Sequence, residues 1–204
     1  MEEKTVNSPP GKLKIAGAMR TLLEDRTFES ITIAELAATA GVTEGLIYKY
    51  YKDRRDILHH VLKEHYQQFL MQIDRDLQGV DGALNKLQKI IWSSIERYAN
   101  HRVFARIILL EVRNSEGYFH SEAYALVKQF NRIIIGIINE GIADGEIRDN
   151  LPPAYIRNAI FGTIEHSCLN RIFFNEPVST GDTAKIITDL LFQGIKNQLK
   201  GSKP

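Results

Sequence analysis

The sequence predicts an all-α protein of about nine helices. Three observations predict it. Apolar residues recur three and four positions apart through most of the chain, strand-type alternation is sustained nowhere, and many of these runs open on a capping residue or close on a glycine.

Residues 1–11 read as a polar arm ending in Pro9-Pro10-Gly11. A helix is expected from about Lys12 to Asp25, with Leu13, Ile15, Ala16, Ala18, Met19, Leu22 and Leu23 mainly on one face. Phe28 sits in the connector as a plug for a small core. Thr32-Ile33-Ala34-Glu35 has the form of a capping box and opens a short helix to Thr39 or Ala40. Gly41 supplies a C-cap, and Thr43 caps a second short helix from Glu44 to Tyr50. Two short helices joined by a tight glycine turn form a helix-turn-helix.

Asp53 is placed to cap a long fourth helix to about Gln78, which Gly79–Gly82 ends. Asp81 then caps a helix to Asn100, and another covers His101–Arg113. Asn114–Gly117 reads as a loop. Ser121 to Asp144 reads as a helix closed by Gly145, Pro152-Pro153 starts one running to about Phe174, and the last spans Asp182–Leu199 after a loop over Asn175–Gly181. No repeat of fixed period is present.

Composition narrows the classes. Against 26 Lys and Arg stand 25 Asp and Glu, a net charge of +1, so any polyanion must be met by a local patch. Residues 12–20 carry Lys12, Lys14 and Arg20 with no acid, and residues 46–55 carry Lys49, Lys52, Arg54 and Arg55 against Asp53 alone. Two solvated helix ends would look the same. One cysteine, Cys168, excludes an internal disulfide and suits packing in a reducing compartment. Met1–Pro10 is polar and charged, unlike a signal peptide, and no apolar run approaches a membrane span, so a cytoplasmic protein without membrane contact is expected.

Residues 12–58 resemble the DNA-binding domain of the TetR family. The resemblance is carried by Ile15-Ala16, by Phe28, by Ile31-Thr32-Ile33-Ala34-Glu35-Leu36-Ala37, by Ala40-Gly41-Val42-Thr43-Glu44-Gly45-Leu46-Ile47-Tyr48, and by Tyr50-Tyr51-Lys52-Asp53-Arg54-Arg55-Asp56-Ile57-Leu58. Arg54 stands where that family usually has Lys, and Tyr51 where it usually has Phe. The resemblance implies a one-component repressor: a DNA-binding domain over 12–58, and a helical ligand-binding and dimerisation domain over 59–204. Its partners would be double-stranded operator DNA, a second copy of the chain, and a small hydrophobic or amphipathic effector.

The second short helix can lie in a major groove with its first residues at the base edges. Gly45 removes a side chain where the helix must approach closely. The hydroxyls of Thr32, Thr43 and Tyr48 and the charges of Lys52 and Arg54 suit phosphate oxygens. Base reading falls by position to Glu44, Leu46 and Lys49, for a cytosine amino group, a thymine methyl and a guanine respectively. For each, a solvated side chain beside the groove is the bland alternative.

In the larger domain the resemblance implies that the final two helices form the dimer interface, with Ile156, Ile160, Gly162 and Thr163 on one and Ile187, Leu191 and Ile195 on the other. Gly162 in a helix interior costs about 1 kcal/mol relative to Ala, which a close helix crossing would explain, though an ordinary core position would also hold it. Arg102, Arg106 and Arg113 fall on one helix face beside Phe104, Ile107, Ile108, Leu109 and Leu110. They could hold an anionic headgroup over a greasy cavity, or form a surface ladder in which Arg113 pairs with Glu111 or Glu116. Phe130, Glu165 and Leu169 join them as candidate pocket residues, and Asn170 and Arg171 could line the same region.

Leu110-Glu111-Val112-Arg113-Asn114-Ser115, Gly141-Ile142-Ala143-Asp144-Gly145-Glu146-Ile147-Arg148 and Phe161-Gly162-Thr163-Ile164-Glu165 resemble the fatty-acid-degradation repressors of the same family. That resemblance implies a long-chain acyl-CoA effector; a regulator of multidrug efflux or of another catabolic pathway would sense a different hydrophobic ligand. His60 and Glu64, four apart beside His59 and His65, offer too few ligands on one face for a metal and read as a solvated helix. Glu165 and His166 are adjacent and do not face each other, so their nearness to Cys168 implies no triad. No nucleophile elbow, phosphate loop or dinucleotide fingerprint is present, so neither enzymatic activity nor a cofactor is expected. An architectural DNA-binding protein without a ligand stays open at this point.

Overall fold

A computed structural model describes residues 9–174 and 176–196. Within them are ten α-helices and no strand; the only β pairing is an isolated bridge between Ile147 and Lys196. The chain forms two compact units. Of the described residues, one takes 9–65 together with Ser121–Ala123, and the other takes Tyr66–His120 and those from Tyr124 to Lys196.

The first unit is organised by its caps. Helix α1 (Pro10–Asp25) starts with proline in its first turn and buries Ile15, Ala16, Met19 and Leu23. A 3-10 turn over Phe28–Ser30 inserts Phe28 into the same core. Helix α2 (Ile33–Ala40) begins with both halves of the capping box: Thr32 Oγ1 accepts from the Glu35 amide at 3.2 Å, and the Thr32 amide donates to Glu35 Oε2 at 2.9 Å. Gly41, at φ 63°, closes α2 in the left-handed region. Helix α3 (Glu44–Tyr50) starts at Thr43, whose hydroxyl accepts from the Leu46 amide. Helix α4 (Arg54–Leu77) starts at Asp53, whose Oδ1 accepts from the Asp56 amide at 2.9 Å. Ile31, Leu36, Ile47 and Ile57 complete a fully buried core, each contributing about 1.5–3 kcal/mol.

Helices α5 (Ala83–Asn100), α6 (Arg102–Arg106), α7 (Glu116–Phe119), α8 (Glu122–Ala143), α9 (Pro153–Phe173) and α10 (Thr180–Ile195) follow. In the second unit α5 packs against both α9 and α10. Its core is dominated by isoleucine, among them Ile90, Ile91, Ile95, Ile134, Ile138, Ile160 and Ile164. Gly141 lets α8 close on the start of α5: a Cβ there would stand 2.6 Å from Ala83 Cβ and 2.8 Å from Ile147 Cδ1.

Four sequence expectations are corrected. Asp81 does not cap α5; Glu146 does, from a distant loop, accepting from the Ala83 and Leu84 amides at 3.2 Å each. The expected helix over 101–113 is three pieces, with α6 passing into a π-turn at Ile107–Glu111 and a 3-10 turn at Val112–Asn114. Part of the loop expected over 114–117 belongs to α7, which makes ten helices where about nine were expected. The last helix starts at Thr180 and stops at Ile195, because the chain turns there to pair Ile195 O with the Arg148 amide at 3.0 Å. Leu199, most of the N-terminal arm and Asn175 lie outside the described residues.

Candidate DNA interface and effector site

Residues on and beside helices α2 and α3 are open to solvent. Thr32, Thr43, Glu44, Gly45, Tyr48, Lys49 and Lys52 are all exposed, and Tyr48, an aromatic residue, is 57% uncovered. Gly45 has a helical backbone, and a Cβ on it would meet only the Thr43 hydroxyl at 3.9 Å. The fold itself therefore gives no reason for glycine here. Thr32 Oγ1 also donates to Glu35 Oε2 at 2.8 Å, so its hydroxyl is committed to the cap. Arg26 donates to Glu35 Oε1 at 2.6 Å; that bond and those from Thr32 hold the Glu35 carboxyl down at about 2.

Two residues expected at DNA are turned inward. Arg54 donates to the carbonyls of Glu29, at 3.0 Å, and of Ile31, pairs with the Glu29 carboxylate at 3.2 Å, and lies 4.6 Å over the Phe28 ring. It fastens the 3-10 turn to the start of α4 and is not a free phosphate clamp. Leu46 is half-buried, its Cδ2 only 3.1 Å from where a Cβ on Gly11 would stand, so it packs on the start of α1. Nor is the histidine stretch a solvated face. His60 Nε2 lies 3.4 Å from Glu64, Arg20 pairs with Glu64 at 2.6 Å, His60 meets the Tyr51 ring at 5.5 Å, and His65 is buried. The close His60 imidazole and then the hydrogen bond from Arg20 hold the Glu64 carboxyl down at about 2.

In the second unit the three arginines do not share one face, because the π-turn between them breaks the α-helical spacing. Arg102 donates to the carbonyls of Arg171 and Glu176 at 2.6 Å each and ties down the end of α9, which removes it from the headgroup set. Arg106 is half-buried and has a partner of its own. Arg113 pairs with Glu165 on α9 at 2.5 Å, rather than with Glu111 or Glu116. Two expected pocket residues are thereby brought together across 52 positions of sequence. The Glu165 carboxylate raises the Arg113 guanidinium further.

Phe130 stacks edge-on between Phe69, at 5.1 Å, and Phe161, at 5.6 Å, while Leu109 packs on the core and Leu169 is half-buried. Asn170 is exposed, and Arg171 donates to the Pro177 carbonyl at 3.2 Å. Cys168 is buried in the isoleucine core, and burial pushes its thiol up to about 11. A polar cleft of about 340 Å³, lined by Asn85, Gln88, Glu146, Thr188, Gln193 and Lys196 among others, includes none of the expected effector residues. Deep polar groups that sequence reasoning passed over also lie in this unit: Tyr66, Arg97, Tyr98 and Tyr118. A lone Tyr or Arg on an amphipathic helix carries no pattern of its own.

The expected dimer residues divide. Ile156, Ile160, Ile187 and Ile195 are buried in the chain's own core and are not free for a partner. Leu191 and Thr163 are half-buried, and Gly162 is exposed with nothing near a would-be Cβ, so no crossing among the described residues explains it. The outward faces of α9 and α10 carry Tyr155, 71% exposed, with Ile186 at 65% and Leu190 at 67%.

Residues 15–61 match the family model of bacterial regulatory proteins of the tetR family, and residues 62–194 match that of the C-terminal region of YsiA-like proteins. The chain belongs to the TetR family. Helices α2 and α3 are its helix-turn-helix, and it is a bacterial regulatory protein of that family. It is 28% identical over 189 residues to the fatty acid metabolism regulator protein of Bacillus subtilis, spanning 93% of this chain and 97% of that one. Its fold matches that of the transcriptional regulator FadR from Bacillus subtilis, solved in complex with stearoyl-CoA, with a TM-score of 0.79, 28% identity, and coverage of 90% and 98% of the two chains. The fatty acid degradation regulator FadR from Bacillus halodurans shares the fold at a TM-score of 0.80 and 20% identity, with 93% and 98% covered. None of the described helices of this TetR-family chain is long and apolar enough to cross a membrane.

Proposed function

We propose that the chain is a homodimeric cytoplasmic repressor that binds a two-fold operator through α2 and α3 and leaves it when a long-chain acyl-CoA binds the second unit. The observation that carries this reading is the likeness, over nearly the whole chain, to a regulator whose structure holds stearoyl-CoA. The pairing of Arg113 with Glu165 and the aromatic wall of Phe69, Phe130 and Phe161, both in that unit, support it. Arg113 meets the anionic head of the ligand, and Phe130, Leu109 and Leu169 receive its chain.

At DNA, Tyr48, Thr43 and Lys52 contact phosphates, while Glu44 and Lys49 reach base edges. Gly45 keeps α3 close to the groove floor. The exposed faces of α9 and α10, with Tyr155, Gly162, Ile186 and Leu190, form the two-fold interface, and two α3 helices then stand about 34–36 Å apart, or a multiple of that. Regulation by binding needs neither enzymatic chemistry nor a cofactor.

Calorimetry with acyl-CoAs of several lengths, paired with operator binding at each concentration, tests the proposal. Heat of binding with parallel loss of operator binding is expected. No heat and no loss at tens of micromolar thioester would remove it.

A further inference from the structure

Where α4 begins, one carboxylate serves two guanidiniums. Glu29 Oε2 stands 3.2 Å from Arg54 Nη2, and Glu29 Oε1 stands 3.3 Å from Arg55 Nη2. Charge-assisted bonds of this kind usually close to about 2.7–2.9 Å, so both contacts are loose. The two arginines are not held alike. Arg54 also donates to the Glu29 and Ile31 carbonyls and lies over the Phe28 ring, which fixes it whatever the carboxylate does. The Arg55 side chain is 51% exposed and that of Glu29 69%, so their pair is open to water. Two neighbouring acids are committed to the main chain: Asp53 accepts from the Asp56 amide, and Asp56 accepts from the Lys52 amide at 3.0 Å.

Two guanidiniums facing the two oxygens of one anion form an arrangement suited to a phosphate. Its place fits that use. Arg54 reaches the Ile31 carbonyl, next to the Thr32 cap of α2, and the exposed Lys52 stands just before α4. In the proposed complex Lys52 meets a phosphate, which brings the duplex backbone to this corner. An ion pair open to water contributes little, whereas a guanidinium that neutralises a DNA phosphate releases a condensed counterion. The exchange of carboxylate for phosphate is therefore favourable.

Resting on the operator-binding reading above, we infer that Arg55 is a further DNA contact and that Glu29 fills its phosphate position in the free protein. On binding, the Arg55 guanidinium leaves the carboxylate for a phosphate oxygen, while Arg54 stays with Glu29. The contact reads no base, so it sets how strongly the chain holds any duplex.

Fluorescence anisotropy over a range of salt reads the exchange, with the full chain and two probes: a duplex that the chain enriches from a random pool, and an unrelated duplex. Arg55→Gln is expected to weaken both alike and to make the slope of log affinity against log salt shallower by about 0.9 for each bound subunit. Arg55→Lys, which keeps the charge, should restore that slope. Glu29→Gln should bind both duplexes about threefold more tightly, the scale of one exposed ion pair, and should gain nothing once Arg55 is already Gln. A gain that persists in the double variant means that Glu29 only repels DNA through space, and it overturns the inference. An unchanged salt slope in Arg55→Gln overturns it too. Both results leave operator binding in place, whereas a wild type that binds neither duplex removes both readings.

Discussion

Gly45 is the residue whose identity the isolated chain explains least and DNA would explain best. It sits inside α3 with helical dihedrals and open space around it, so the fold tolerates a methyl group there. Gly45→Ala should stabilise the chain by about 1 kcal/mol through helix propensity and yet weaken operator binding. A thermal melt with fluorescence anisotropy on the same sample checks both signs; unchanged DNA affinity would mean α3 does not approach the groove closely. Glu35 and Glu64 give a second test. Both carboxyls sit at about 2, against about 4.3 in an unfolded chain. Between those values the unfolded chain binds more protons, so their stabilisation is complete above about 4.3 and is lost as pH falls towards 2. Denaturant midpoints should therefore be flat near neutrality from this source and fall below about 4.3. Glu35→Gln should show a shallower acid limb, and an identical limb would remove Glu35 from the account.

At the scale of elements, two helical glycines sit in opposite settings. Gly141 is an intrachain contact, and Gly141→Ala should cost about 1–3 kcal/mol by overpacking against Ala83 and Ile147. Gly162→Ala adds a methyl to empty space and should leave the melting of the subunit intact while weakening self-association, as measured by sedimentation equilibrium. If both variants melt early and associate normally, the assignment of the α9 face fails. The elements legible in the sequence were those whose signals are local. The Thr32–Glu35 box, Gly41, Thr43 and Asp53 fixed α2, α3 and the start of α4 because each cap bonds only to residues within three or four positions. The Glu146 cap on α5 was not legible, since its partners lie more than 60 positions away. The π-turn at Ile107–Glu111 was hidden because Ile107-Ile108-Leu109-Leu110 is apolar at every position and gives no period to read. Which side of α10 faces the chain's own core was not legible for a related reason: Ile186-Ile187 and Leu190-Leu191 offer two apolar stripes, and only packing shows that Ile187 turns inward while Ile186 and Leu190 turn out. Arg113 and Glu165 each carry a sequence signal, but the pairing of Arg113 with a residue on α9 is beyond any spacing rule.

For the whole molecule, the proposed repressor needs a second copy of the chain to supply the other DNA-reading helix. Replacing Ile186 and Leu190 together with Glu should yield a folded, helical monomer whose operator affinity drops by orders of magnitude, because one half-site keeps only part of the phosphate contacts. Circular dichroism and sedimentation would show the first effect and anisotropy the second; a dimer that survives both changes would place the interface elsewhere. The most direct test of the central claim is selection of random DNA duplexes by the purified full chain, run with and without an acyl-CoA thioester. The account predicts that one two-fold symmetric sequence is enriched without thioester and that its enrichment disappears when thioester is present. Enrichment of no sequence at low ionic strength, or of a sequence held equally well in both arms, would contradict it.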